Sequence, residues 1–222
     1  MKLKQLFENR HPGFLNQKAL IEEKLRSWDI FRYRINDDLT VDVDYQVDLD
    51  DKEIPYLPFK FGKVDGYFSM QNCGLKSLVG CPNEVHGNFM VMFNEIETLE
   101  GFPELVTGDI DLDNNKLVSL VGAPQFAKGS FTVNENNLKT LKGAPLEVDG
   151  EFHCRVNKLS NLRGGPREVG GMYDASYNSL ITLAGAPKGA DSLEISENPA
   201  ITEKDVEELR EKVFYQIFVN SQ

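Results

Sequence analysis

Apolar residues return along this chain at two spacings at once. Over short stretches they alternate with other residues: Phe89-x-Val91, Ile110-x-Leu112, Phe131-x-Val133 and Phe152-x-Cys154. A spacing of two puts both side chains on one face of a strand. Over longer stretches the whole unit returns after 21 residues, as in residues 88–108, 109–129 and 130–150. The same frame fits 67–87, 151–171 and 172–192, which makes six blocks. A fixed period in the twenties predicts a solenoid, because stacked units share a core that no single unit can build.

The columns of this frame divide into tasks. Phe68, Phe89, Ile110, Phe131, Phe152, Tyr173 and Leu193 form a first inward column. Met70, Val91, Leu112, Val133, Cys154, Ala175 and Ile195 form a second. Two Leu-rich columns follow, one running from Leu75 to Leu180 and one from Leu78 to Leu183. A polar column, Cys73, Asn94, Asn115, Asn136, Asn157, Asn178 and Asn198, stands between them. An Asn amide carries donors and an acceptor, so a stack of them can satisfy buried backbone where each strand turns. Gly80, Gly101, Gly122, Gly143, Gly164 and Gly185, each two residues before a Pro, mark a return turn. About a dozen residues separate successive strands, which leaves little room for an α-helix, so the convex side is expected to be turns and extended backbone.

The ends depart from the frame. Residues 1–31 read as helical, with His11-Pro12-Gly13 as a break. Asn16 is the expected N-cap of a helix through Trp28, with Leu20, Ile21, Leu25 and Trp28 on one face. In 32–66 the alternation Leu39, Val41, Val43, Tyr45 predicts a half-buried strand in a β-hairpin cap, and Ile54, Leu57, Val64 and Gly66 form a degenerate first coil. Residues 67–192 are the six repeats, and 193–222 a last half-coil with a cap helix. That helix has Thr202 as N-cap and Val206, Leu209, Val213, Phe214 and Ile217 as its apolar face. The expected fold is therefore a β-rich solenoid with a parallel sheet of about seven coils, capped at both ends.

Charge and cysteine usage narrow the function. The chain has 222 residues, 24 Lys plus Arg against 35 Asp plus Glu, and a net charge of −11. That balance argues against a nucleic-acid binder or a partner on an anionic membrane. The three Cys lack redox or metal-ligand spacing, and the N-terminus has no apolar run of signal length, so a cytoplasmic protein is expected.

The frame Phe-x-(apolar)-x-x-Asn-x-Leu-x-x-Leu resembles the leucine-rich repeat, and Cys73 in the Asn slot fits that pattern too. RINDDLTVDVDYQVDL at 34–49, KFGKVDG at 60–66 and VNKLSNLRGGPREVGG at 156–171 resemble a short leucine-rich-repeat-like family of tailed bacteriophages and some bacteria. The first column of Phe, the Gly-x-Pro turn and the Val before each strand depart from ordinary leucine-rich repeats. The resemblance implies a binding protein, with a host protein among the partners if the chain is phage-encoded.

The outward strand positions carry the candidate site. Tyr67, Met90, Met92 and Phe93 offer adaptable apolar contacts, and Asp109, Asp111 and Asp113 offer a negative field for an Arg- or Lys-rich partner. Thr132, His153 and Arg155 complete the set. The string DIDLDNN has carboxylates at strand spacing rather than in a calcium loop, so no metal is expected. His153 beside Asp174 lacks an outward nucleophile, and no phosphate loop is present, so neither catalysis nor a cofactor is expected. The expected function is non-catalytic protein binding through a concave strand face. The alternative is a structural protein forming a homo-oligomer or ring in phage assembly.

Overall fold

The computed structural model describes residues 12–211, 213 and 215–219. It is a solenoid of parallel strands arranged in two lines. The long line is a nine-stranded sheet: β3 (Val47–Asp48), β5 (Phe68–Ser69), β7 (Phe89–Met90), β9 (Ile110–Asp111), β11 (Phe131–Thr132), β13 (Phe152–His153), β15 (Met172–Asp174), β16 (Ser192–Glu194) and β17 (Gln216–Phe218). Register is in phase with the repeat, Phe68 opposite Phe89 and Phe131 opposite Phe152. The step from β15 to β16 is shorter by one residue, since Tyr173 pairs with Leu193, and the final strand β17 joins through the Leu193–Ile217 pair.

Two expectations change here. The coils number about eight rather than seven, because Val47 and Leu49 occupy the first and second inward columns and both are buried. The return side also contains strands. β1 (Tyr33–Ile35), β2 (Val41–Val43), β4 (Phe61–Val64), β6 (Glu84–Val85) and β8 (Leu105–Val106) form one sheet. β10 (Phe126–Ala127), β12 (Glu147–Val148) and β14 (Glu168–Val169) continue it after a break. From β4 onward each of these strands ends in the buried column Val64, Val85, Val106, Ala127, Val148, Val169. One inward residue and its outward neighbour per coil suffice to pair parallel with the next coil. At the corner between the two lines the coils come close. A Cβ on Gly87 would lie 2.8 Å from the Gly66 carbonyl carbon, which is why that column is Gly.

The core is one continuous stack. Phe68 and Phe89 lie face to face at 5.8 Å, and Phe131 and Phe152 at 5.9 Å, with Ile110 between the pairs. The Asn column makes the ladder that its chemistry predicts. Asn157 Nδ2 donates to the carbonyls of Val133, Cys154 and Arg155, while its Oδ1 accepts from Leu138 N–H at 2.9 Å. Each rung therefore ties its own coil to the preceding one. Cys73 fills the slot with weaker contacts from Sγ to the carbonyls of Leu49 and Gln71.

At the N-terminal end a helix, Pro12–Ser27, covers the first coil. It already includes Pro12, so Asn16 lies inside it and is not the N-cap. Ile21, Leu25 and Trp28 are buried as expected, Trp28 packing 5.6 Å from Phe59, but Leu20 is exposed. The hairpin of β1 and β2 is antiparallel. Its second strand is shorter than the alternation predicts, because Leu39 takes a left-handed φ of 68° at the turn and Tyr45 faces solvent. The two turns of helix expected over residues 2–8 fall outside the described residues.

At the C-terminal end Thr202 caps a helix, Glu203–Arg210, through a capping box with Asp205. The helix then stops, where the apolar spacing predicts continuation. Residues 215–219 instead alternate, with Ile217 buried and Gln216 and Phe218 exposed, and Gln216–Phe218 pairs as β17 along β16. An open sheet edge offers backbone partners that an isolated helical turn cannot match. Arg210 Nη2 reaches the Ile217 carbonyl at 3.5 Å, and this partly covers the new edge. Phe214 lies outside the described residues.

Candidate protein-binding face

The outward positions of the nine-stranded sheet form one face, with rungs about 4.8 Å apart. On it the predicted residues do come together. Tyr67, Met90 and Met92 are half-buried on neighbouring coils, and Phe93 beside them is 51% exposed. Asp109, Asp111 and Asp113 follow on the next rung. Thr132 stands in register with Asp111, and His153 with Thr132 on the other side.

Many of these side chains also hold the coil together, which residue spacing alone did not reveal. Asp109 Oδ1 accepts from Ser130 N–H at 2.8 Å. Asp113 Oδ1 accepts from Asn134 N–H at 2.7 Å, and its Oδ2 accepts from Asn134 Nδ2. Asn134 Oδ1 in turn accepts from Arg155 N–H. Asp50 does the same for Gln71 N–H and also accepts from Ser69 Oγ. A carboxylate or amide at these positions thus caps the N–H one coil further on, where no carbonyl lies opposite. Ser69, Asp174 and Ser176, outward by alternation, are buried by this network.

The electrostatics are uneven. Burial raises the Asp111 carboxyl above the ordinary range, and the Asp113 charge adds to the shift. Tyr67 donates to Asp48 Oδ2 at 3.2 Å, and burial together with that carboxylate raises its phenol. His153 sits between two acids, with Nε2 at 2.8 Å from Glu151 and Nδ1 at 3.8 Å from Asp174. Asp174 and then Glu151 raise the imidazole against the opposing effect of burial. Burial pushes Asp174 up, but His153 and Ser176 outweigh it, and the carboxyl is held below its usual range. Ser176 Oγ donates to Asp174 Oδ1 at 2.6 Å. The carboxylate therefore stands between the Ser176 hydroxyl and the His153 imidazole.

The face ends in a corner row that the sequence reading did not isolate. Asp51, Asn72, Phe93, Asn114, Glu135, Val156, Tyr177 and Glu197 all have φ between 52° and 57°. Only Phe93 from this row was singled out from sequence. The Asn residues at 72 and 114 are the trace by which the row could have been found, since Asn tolerates this conformation better than other side chains. Arg155 lies 5.8 Å from the centre of the Tyr177 ring, within cation–π range.

Among the described residues, no cluster of three or more His, Cys, Asp or Glu is placed to hold a metal ion. No helix among them is long and apolar enough to cross a membrane. Comparison with protein-family models, with curated proteins and with solved structures gave no match, so the reading of this face rests on its own chemistry.

Proposed function

We propose that this solenoid is a non-catalytic binding protein and that its long-sheet face receives a basic segment of a protein partner. The observation that carries the reading is the charge of the face. Asp48, Asp50, Asp109, Asp111, Asp113, Glu151 and Glu194 stand on it, against Arg155 and His153. Opposite potentials across an interface speed encounter and reject wrong partners. Met90, Met92 and Tyr67 add adaptable apolar surface inside the acidic field.

A reducing, cytoplasmic setting fits this reading. Cys73, Cys81 and Cys154 are free and buried, and burial pushes the Cys73 thiol up to about 11 and the Cys81 thiol up to about 12. The sequence resemblance to phage and bacterial repeat proteins supports a host protein as the partner.

Affinity capture from the native host, read by mass spectrometry, tests the proposal with Met92→Glu and Asp111→Arg alongside the wild type. The expected result is a basic protein retained by the wild type, released by raised salt, and lost with Asp111→Arg. Equal recovery by all three proteins refutes the assignment of the face. A concentration-dependent rise in mass by light scattering, with no captured partner, supports the homo-oligomeric alternative instead.

A further inference from the structure

The corner row contains residues that the fold does not ask for. A left-handed backbone suits Gly, and next Asn or Asp; it is unfavourable for other side chains and a clear outlier for a β-branched one. Asp51, Asn72 and Asn114 obey that preference. Phe93, Val156 and Tyr177 do not, with φ of 57°, 52° and 53°. They are also exposed, at 51%, 39% and 52%, so they contribute little to the core. These three residues thus carry two local disadvantages, strained backbone and apolar surface in water. Such departures from local rules concentrate at functional sites.

Their placement is ordered. Phe93 adjoins Met92 at one end. Val156 and Tyr177 occupy adjacent coils at the other, three and four coils away. At about 4.8 Å per rung, the two apolar points lie roughly 14–19 Å apart. Between them the row is polar and acidic, with Asn114 and Glu135 in the row and Asp113 beside it.

We propose that Phe93 at one end and Val156 with Tyr177 at the other are the two apolar anchor points for the basic segment. The inference rests on the binding reading above and specifies its partner. The occupant is an extended basic peptide with two large apolar side chains four or six residues apart, since a strand rises about 3.3 Å per residue and only an even spacing puts both side chains on one side. Its Lys or Arg side chains between the anchors face Asp113 and Glu135.

Fluorescence anisotropy with labelled synthetic Lys-rich peptides tests this at low ionic strength. One peptide carries two Phe four residues apart, one carries them adjacent, and one carries none. The spaced peptide is expected to bind the wild-type protein at least about tenfold more tightly than the other two. Phe93→Asn and Val156→Asn are expected to abolish that advantage while leaving Tm unchanged or raised, because Asn relieves the backbone. Equal binding of all three peptides, or a lowered Tm in both variants, overturns the anchor assignment and leaves the acidic face standing. Absence of binding by every basic peptide overturns the binding reading itself.

Discussion

Tyr173 is the only Tyr in a first column otherwise made of Phe, Ile, Leu and Val, and it is completely buried. Its hydroxyl has no hydrogen-bond partner among the described residues. Gly165, in the preceding coil, makes the room. A Cβ there would overlap Tyr173 Oη and come within 2.9 Å of Leu141 Cδ1. The equivalent positions of other coils hold Ala123, Ala144 and Ala186. The pair is therefore a compensated irregularity, and a double-mutant cycle exposes it. Tyr173→Phe removes a buried hydroxyl that costs about 1–3 kcal/mol when unsatisfied, so it should stabilise by about 1 kcal/mol. For a chain of this size that is a Tm rise of about 2–4 °C. Gly165→Ala alone should destabilise by about 1–3 kcal/mol through overpacking. In the Phe background the main obstruction is gone, and the lower chain entropy of Ala in the unfolded state offsets part of what is left. The two changes should thus couple by about 1–2 kcal/mol. Urea unfolding of the four proteins, with a constant m-value, measures the cycle. A destabilising Tyr173→Phe, or energies that add within about 0.3–0.5 kcal/mol, refutes the reasoning.

Asn157→Ala leaves the Leu138 N–H and up to three carbonyls without their amide partner, so it should cost about 3 kcal/mol or more by the same unfolding measurement. The surface amide Asn137, replaced by Ala, serves as the contrast and should change stability by no more than about 0.5 kcal/mol. The His153 imidazole has a raised folded pKa, so its contribution is fully present below about pH 6.5 and is lost as pH rises through the higher folded value. Asp174, held below its usual range, contributes above about pH 3.9 and loses that contribution as pH falls through its lower folded value. His153→Gln should therefore flatten the fall in Tm between about pH 6 and pH 9, and an unchanged pH profile would remove the ion pair from the account.

The sequence decided the architecture through its period. A 21-residue return of Phe, apolar, Asn and Leu leaves one arrangement in which every inward column is covered by its own copy. It also decided the Asn ladder, because a buried amide at a turn has only backbone groups to bond. Thr202 announced its helix by chemistry that is local, and the structure adds Asp205 as its capping partner. What failed was whatever depended on a competing neighbour. Residues 213–219 carry both a helical and an alternating pattern, and the free edge of β16 selects the strand. The return strands have one inward residue each, too little periodicity to see before the coils are stacked.

The face shows the same division. Alternation placed Tyr67, Met90, Met92, Asp109, Asp111, Asp113, Thr132, His153 and Arg155 on it, because strand geometry is set by the chain itself. Which of them are free is a property of the stack. Asp113 is committed to Asn134, and Asp174 is buried between His153 and Ser176, through contacts that span one coil. The left-handed corner is likewise imposed by the ladder that follows it, since Phe93, Val156 and Tyr177 would not choose it alone. Local spacing fixes which way a side chain points, and only neighbouring coils decide whether it has anything left to bind with.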